Sequence, residues 1–194
     1  MIAKRFKDTK FDAVYTSDLG RAHNTAKIII SQNQINSDEG QIRLAKLARE
    51  RDFPGFENQP IELIRSHPSN RDYKGPPRDF KVPGGESTND MTKRSGKLLL
   101  EISDEAFKPE NHWKQVLLVS HQGWICESQN FVANYNTGEA YSRRDRVKNC
   151  SVSILEVQKA AGEGAGKAYK FDYLVVSDVE HLNPSFDLDS IKLF

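Results

Sequence analysis

The stretch Val116–Gly123, VLLVSHQG, decides the fold. Val116 to Val119 are four consecutive apolar residues, the pattern of a strand covered on both faces, as in a parallel sheet between helices. Ser120-His121-Gln122-Gly123 then turns polar, and a helix is predicted from about Trp124. A similar unit lies upstream. Phe11, Ala13 and Val14 mark a strand ending near Ser17, and Ser17 or Asp18 is a suitable N-cap. Leu19, Ala22, Ala26, Ile29 and Ile30 follow at helical spacing. Between the two units, Ile42–Leu47 is read as a short second strand. Ser87 caps a helix with Met91, Leu98, Leu99 and Ile102 as its apolar stripe and Asp90 as the capping-box acid. Ser151–Val157 and Tyr169–Ser177 read as later strands.

Strand–turn–helix units followed by a strand pair predict an α/β protein, a three-layer α/β/α domain with a mostly parallel sheet. In such sheets ligands sit outside the carboxyl ends of the strands. Those ends carry Ser17, Asp18 and Arg21 in one unit and Ser120 and His121 in the other.

The 194 residues suit one domain spanning 1–194, with 37% hydrophobic and 28% charged residues. The net charge is +1 with both signs interspersed, so no clustered basic face marks a nucleic-acid binder. No apolar run approaches the roughly 20 residues of a membrane span. The N-terminus is basic without an apolar core, unlike a secretory leader. Cys126 and Cys150 have neither metal-like nor redox-like spacing, so reduced thiols in a cytoplasmic protein are expected. Gly162-Glu163-Gly164-Ala165-Gly166 opens no apolar helix, which argues against a dinucleotide loop. Six prolines punctuate Pro54–Gly85, leaving room for one short helix near Ile61–Ser66. Residues 58–82 are expected to form a rim or lid. Arg65, Arg71, Lys74, Arg78 and Lys81 make that rim basic enough to draw an acidic metabolite, although a solvated loop has the same composition. The last residues, 184–194, read as an irregular tail.

His121 is the first candidate site residue. Backbone N–H groups at a helix start favour anions, and Gly123 would let a ligand approach the turn. A histidine here can hold a phosphoryl group when protonated or act as nucleophile or base when neutral; a backbone-held structural histidine fits the same position. The guanidinium fork of Arg21 suits phosphate oxygens, though a solvated arginine is also common there. Glu50 lies between Arg49 and Arg51, and both cations are expected to stabilise its carboxylate. A surface ion cluster would read the same.

Together these segments resemble the histidine phosphatase superfamily, which includes cofactor-dependent phosphoglycerate mutases. The resemblance rests on YTSDLGRAHNTA (Tyr15–Ala26), LARERDFPGFE (Leu47–Glu57), VPGGES (Val82–Ser87) and VLLVSHQGWI (Val116–Ile125), with NCSVSILEV and VVSDVEHL as closing strands. It covers roughly residues 5–183. It implies a phosphoglycerate mutase-like sheet and a phosphohistidine intermediate formed by a histidine in an Arg-His-Gly motif at the end of the first strand. It implies that Glu50 is the acid, His121 the second histidine and Arg21 a phosphate-binding arginine, with Ser17, Gln122 and Gly123 beside them. Gln122 replaces the family's usual glycine, and Pro54 departs from the pattern after Glu50. Glu86 is expected to shape the rim rather than do chemistry. No cofactor or metal is implied.

No histidine among His23, His67, His112, His121 and His181 lies in an Arg-His-Gly sequence. The resemblance therefore implies that the first βα unit, on the order of 30 residues with its loops, is missing from these residues. Without the nucleophile, turnover is expected to fall by several orders of magnitude, and loss of an interior strand is expected to expose backbone beside Val116–Val119. The expected parent activity is a phosphomonoesterase acting on small phosphorylated metabolites. The alternatives are a phosphoglycerate mutase-type phosphotransferase, a catalytically dead module binding a metabolite or inorganic phosphate, and a truncated product without function.

Overall fold

The computed structural model describes residues 1–36, 38–56, 59–60, 62–63, 78–138, 147–160 and 167–183. Most of the helix expected near 61–66, most of the rim, the glycine-rich run and the tail 184–194 lie outside the described residues.

Three parallel strands form the centre: β1 (Ala13–Thr16), β2 (Ile42–Leu44) and β3 (Val116–Val119), in the order β2-β1-β3. Thr16 lies opposite Leu44 on one side and Val119 on the other. Their carboxyl ends therefore share one edge of the sheet, where Ser17, Ala45 and Ser120 follow. β2 is shorter than the expected 42–47. The Ala45 amide still donates to the Thr16 carbonyl at 2.7 Å, and the chain then winds into a 3₁₀ turn over Lys46–Ala48.

Four helices are described: α1 (Ile2–Arg5), α2 (Gly20–Ser31), α3 (Thr88–Ala106) and α4 (Gln122–Thr137). The helical spacing in α2 buries Ala22, Ala26, Ile29 and Ile30. Ile29 and Ile30 pack with Ala3, Phe6, Phe11 and Val14 on one face of the sheet. Met91, Leu98 and Leu99 of α3 pack with Trp124 and Val132 of α4 on the other. In β3, Leu118 joins this second cluster while Leu117 and Val119 join the first, the alternation of a strand between two helical layers. This is the three-layer α/β/α arrangement expected from the sequence. No helix among the described residues is long and apolar enough to cross a membrane.

The capping box at α3 forms as expected. Ser87 Oγ accepts from the Asp90 amide at 3.0 Å and the Asp90 carboxylate accepts from the Ser87 amide at 3.1 Å. Those bonds, with the Lys81 ammonium, hold the Asp90 carboxyl at about 2. The cap expected for α2 does not form. Leu19 occupies that position without a side-chain hydrogen bond, because Ser17 and Asp18 are engaged in the site described below.

β4 (Val152–Lys159) and β5 (Tyr169–Asp178) pair antiparallel in a separate two-stranded sheet. They lie between the same layers: Leu155, Val157 and Tyr173 meet the cluster that Leu118 joins, and Val152 meets the other. Among the described residues, β3 pairs with β1 alone. Its four residues are consequently half-buried rather than buried as expected. Helices cover its faces, while its second backbone edge has no strand partner among the described residues.

At another corner, Arg5 fastens α1 to the end of β5. Its Nη1 lies 2.6 Å from Asp178 Oδ2 and 3.1 Å from His181 Nδ1. A guanidinium only donates, so His181 Nδ1 accepts and the ring is neutral. Burial first, and Arg5 second, push the His181 imidazole below its ordinary 6.5. Below that value the unfolded chain takes up a proton that the folded chain resists, so stability falls as pH drops through the window beneath 6.5. Each such imidazole contributes a slope of at most about 1.4 kcal/mol per pH unit. His121 has a lowered value too. Urea denaturation of the His181→Gln variant between about pH 6.5 and 5 is expected to show a shallower pH slope than the parent; an unaltered slope would contradict this account.

Candidate active site

The carboxyl ends of β1 and β3 bring together residues about a hundred positions apart. The Ser17 amide donates to the Val119 carbonyl at 2.9 Å, extending the β1–β3 pairing by one residue. Ser17 is fully buried, and its Oγ lies 2.9 Å from His121 Nε2. His121 is the N-cap residue of α4 and is 7% exposed. Arg21 Nε donates to His121 Nδ1 at 3.1 Å. Arginine has no acceptor, so Nδ1 accepts and Nε2–H donates to Ser17 Oγ. Ser17 Oγ also accepts from the Leu19 amide at 3.2 Å. Both ring nitrogens are thus committed in the neutral state. Burial, then the Arg21 charge, lower the His121 pKa, with Glu50 acting in the opposite sense.

Glu50 meets this group from the segment after the Lys46–Ala48 turn. Its carboxylate accepts from the Arg51 amide at 2.9 Å and the Gly123 amide at 3.0 Å. The second of these belongs to the first turn of α4, where unpaired N–H groups favour an anion. A Cβ on Gly123 would stand 2.3 Å from Glu50 Oε1. Glycine is therefore needed here to admit the carboxylate of Glu50, which differs from its expected role of admitting a ligand. Gln122, the first residue of α4, is exposed.

The guanidinium groups flanking Glu50 go to other partners. Arg49 makes a two-pronged pair with Asp18, both distances 2.6 Å, and this bond holds the Asp18 carboxyl below its ordinary range. Arg51 donates to the carbonyls of Glu86 at 2.8 Å and Phe80 at 2.6 Å, and stacks over the Phe53 ring with Cζ 4.4 Å from its centroid. The triplet Arg49-Glu50-Arg51 thus sends three side chains to three different partners, because successive residues of an extended segment point apart. Two rim cations also differ from the expectation that they draw an acidic metabolite. Arg78 is held by Asn89, Thr92 and the buried Glu127, at 2.9, 2.8 and 2.6 Å. Lys81 pairs with Asp90 at 3.1 Å. Arg65, Arg71 and Lys74 lie outside the described residues.

A cleft of about 610 Å3 opens beside this cluster, lined by Arg21, Lys46, Glu50, Asp52, Phe53 and Arg94 among others, with His121 and Ser17 behind its wall. A family model described as histidine phosphatase superfamily, branch 1, matches residues 1–165. The chain belongs to that superfamily. Fructose-2,6-bisphosphatase TIGAR B of Danio rerio is 34% identical over 88 residues, which is 45% of this chain and 33% of that protein. The chain thus spans about a third of that relative. The probable phosphoglycerate mutase GpmB of Escherichia fergusonii is 26% identical over 190 residues, 96% of this chain and 80% of that protein. The solved structure of Bacillus stearothermophilus YhfR superposes with a TM-score of 0.70 at 23% identity, covering 94% of this chain and 81% of that one. That likeness shows a shared fold.

In this superfamily member, Arg21, His121, Ser17, Glu50 and Gly123 are in one place. Sequence reading missed Arg94, which lines the cleft from α3 and adds to the depression of the His121 pKa. Its place one turn into the capped helix after the Pro-Gly-Gly turn was the only available signal. Sequence reading also missed Trp124 and Ser120 as supports: Trp124 Nε1 donates to the Leu47 carbonyl and Ser120 Oγ to the Ala48 carbonyl, both at 2.7 Å. They tie the turn before Glu50 to the start of α4.

The Arg21–His121 contact has a consequence for ligand binding. A dianion entering beside Arg21 would stabilise a protonated His121, which the resting site disfavours. Orthophosphate binding above neutral pH is expected to take up protons, approaching one per site. Calorimetry in buffers of different ionisation enthalpy would show the uptake, and His121→Gln is expected to remove it. Binding without uptake in the parent protein would sink the idea.

Proposed function

We propose that this site is the phosphoryl-binding and acid half of a phosphomonoesterase acting on small phosphorylated metabolites. The observation that carries the reading is the chain Arg21–His121–Ser17 at the sheet's carboxyl edge, with the Glu50 carboxylate held beside it on the first turn of α4. Arg21 and His121 would hold the phosphoryl oxygens and stabilise the charge that develops on them. Glu50, protonated, would deliver a proton to the leaving alkoxide oxygen. A histidine nucleophile would take the phosphoryl group as the ester P–O bond breaks, and water would then cleave the P–N bond and release orthophosphate.

His121 is poorly suited to be that nucleophile, since one nitrogen faces Arg21 and the other donates to a buried hydroxyl. No Arg-His-Gly sequence occurs in the 194 residues. These residues alone are therefore expected to be poor catalysts while still able to hold phosphate. The same observation favours a second reading, a phosphate-binding module without turnover. A mutase-type phosphotransferase would use the same groups, with a second substrate oxygen in place of water.

Three measurements on the chain test these readings. Turnover of p-nitrophenyl phosphate is expected to be negligible, and no acid-labile phosphoenzyme should accumulate. Millimolar orthophosphate is expected to raise the melting temperature, and Arg21→Ala should abolish the rise. No rise in the parent protein would count against both readings. A phosphoenzyme trapped at His121 would overturn its assignment as the supporting histidine.

A further inference from the structure

Arg94 projects from the second turn of α3, and its side chain and that of Glu86 are each 17% exposed. A guanidinium has five N–H groups, and all five of Arg94's are used. Nε donates to Glu86 Oε1 at 2.6 Å and Nη2 to Glu86 Oε2 at 2.7 Å, a two-pronged pair. Nη1 donates to the carbonyls of Leu47 and Arg49, both at 2.7 Å. The second Nη2 hydrogen reaches the Glu50 carbonyl at 3.3 Å. Although Arg94 lines the cleft, it has no donor left for a ligand.

The bonds to Arg49 and Glu50 fix the two peptide planes on either side of the Glu50 Cα. Once those planes are set, only side-chain torsions remain, and the Arg51 and Gly123 amides fix the carboxylate end. Glu86 is itself anchored to the same segment. Its amide donates to the Asp52 carbonyl at 3.2 Å, and its carbonyl accepts from Arg51 Nε at 2.8 Å. The adjoining Gly85 packs so closely that a Cβ would stand 2.6 Å from Val82 and 3.0 Å from the Asp52 carbonyl oxygen. The turn before α3 and the segment around Glu50 are thus joined at backbone distance, with Arg94 across the seam. The Glu86 carboxylate also offsets the guanidinium charge, which otherwise would be a bare cation in a cleft built to receive phosphate.

We infer that Glu86 and Arg94 are positioning residues that set where the Glu50 carboxylate stands. The inference rests on Glu50 as the acid of the proposed reaction, and it assigns the Pro-Gly-Gly-Glu-Ser turn a direct part in placing that acid beyond shaping the rim.

The Gly123 amide reports on this placement because it donates to Glu50. Hydrogen exchange of that amide, followed by ¹⁵N NMR, is expected to be at least about tenfold faster in Arg94→Met, the effect of losing one hydrogen bond of roughly 1.4 kcal/mol. The β1 amides, Tyr15 among them, should exchange as in the parent protein, which separates a local effect from general loosening. Arg94→Lys keeps a charge that can reach Glu86 and one carbonyl, and should restore part of the protection. Glu86→Gln keeps the shape and removes the charge, and should give an intermediate rate. If Arg94→Met does not fold, Arg94→Lys and Glu86→Gln decide the matter. Parent-like Gly123 protection in the folded variants would overturn the inference. Failure of the phosphatase reading would instead show as a missing orthophosphate response with the Gly123 behaviour intact.

Discussion

The parallel pairing of β1 with β3 is the constraint on which the site depends. Thr16 opposite Val119 brings the ends of the two strands level, and one further bond, Ser17 amide to Val119 carbonyl, carries the alignment into the polar turns. A shift of one residue would turn Leu117 and Val119 toward the wrong helical layer and separate Ser17 from His121. The packing that covers the sheet therefore also enforces the contact between His121, Ser17 and Arg21. Fold and site share one register.

The second organising feature is how charge is distributed. Of the arginines lining the cleft, Arg49 pairs with Asp18 and Arg94 with Glu86 in two-pronged geometry, and Arg78, outside that lining, pairs with the buried Glu127. Such pairs add geometric definition because the guanidinium plane must match the carboxylate plane. Arg21 differs. It is exposed, it lines the cleft, and it spends its Nε on a neutral imidazole rather than on a carboxylate. Its guanidinium therefore meets the cleft beside His121. Burial and Arg21 both disfavour the protonated form of that imidazole.

The sheet is also uneven in its covering. β3 is apolar along its whole length and lies between two helical layers, but its second edge is open among the described residues. The β4–β5 pair occupies the same layers as a separate ribbon.

The sequence by itself determined the local elements, because their signals are local. A continuous apolar run marks β3, a short apolar stretch marks β1 and period-3.6 patterns mark α2 and α3, and the capping box is contained within Ser87–Asp90. It also marked Arg21, Glu50 and His121 through their positions after strands and within motifs of the superfamily. The tertiary structure decided the partners. Arg49-Glu50-Arg51 reads as a carboxylate between two cations, yet each side chain goes to a different segment. Gly123 reads as room for a ligand, yet it makes room for Glu50, 73 positions away along the chain. Arg94 carried no more signal than any polar residue on a helix until residues 47–50 were laid across it. Hydrogen bonds and ion pairs between distant segments depend on which backbones the packed layers bring within about 3 Å, and no pattern within one segment encodes that distance.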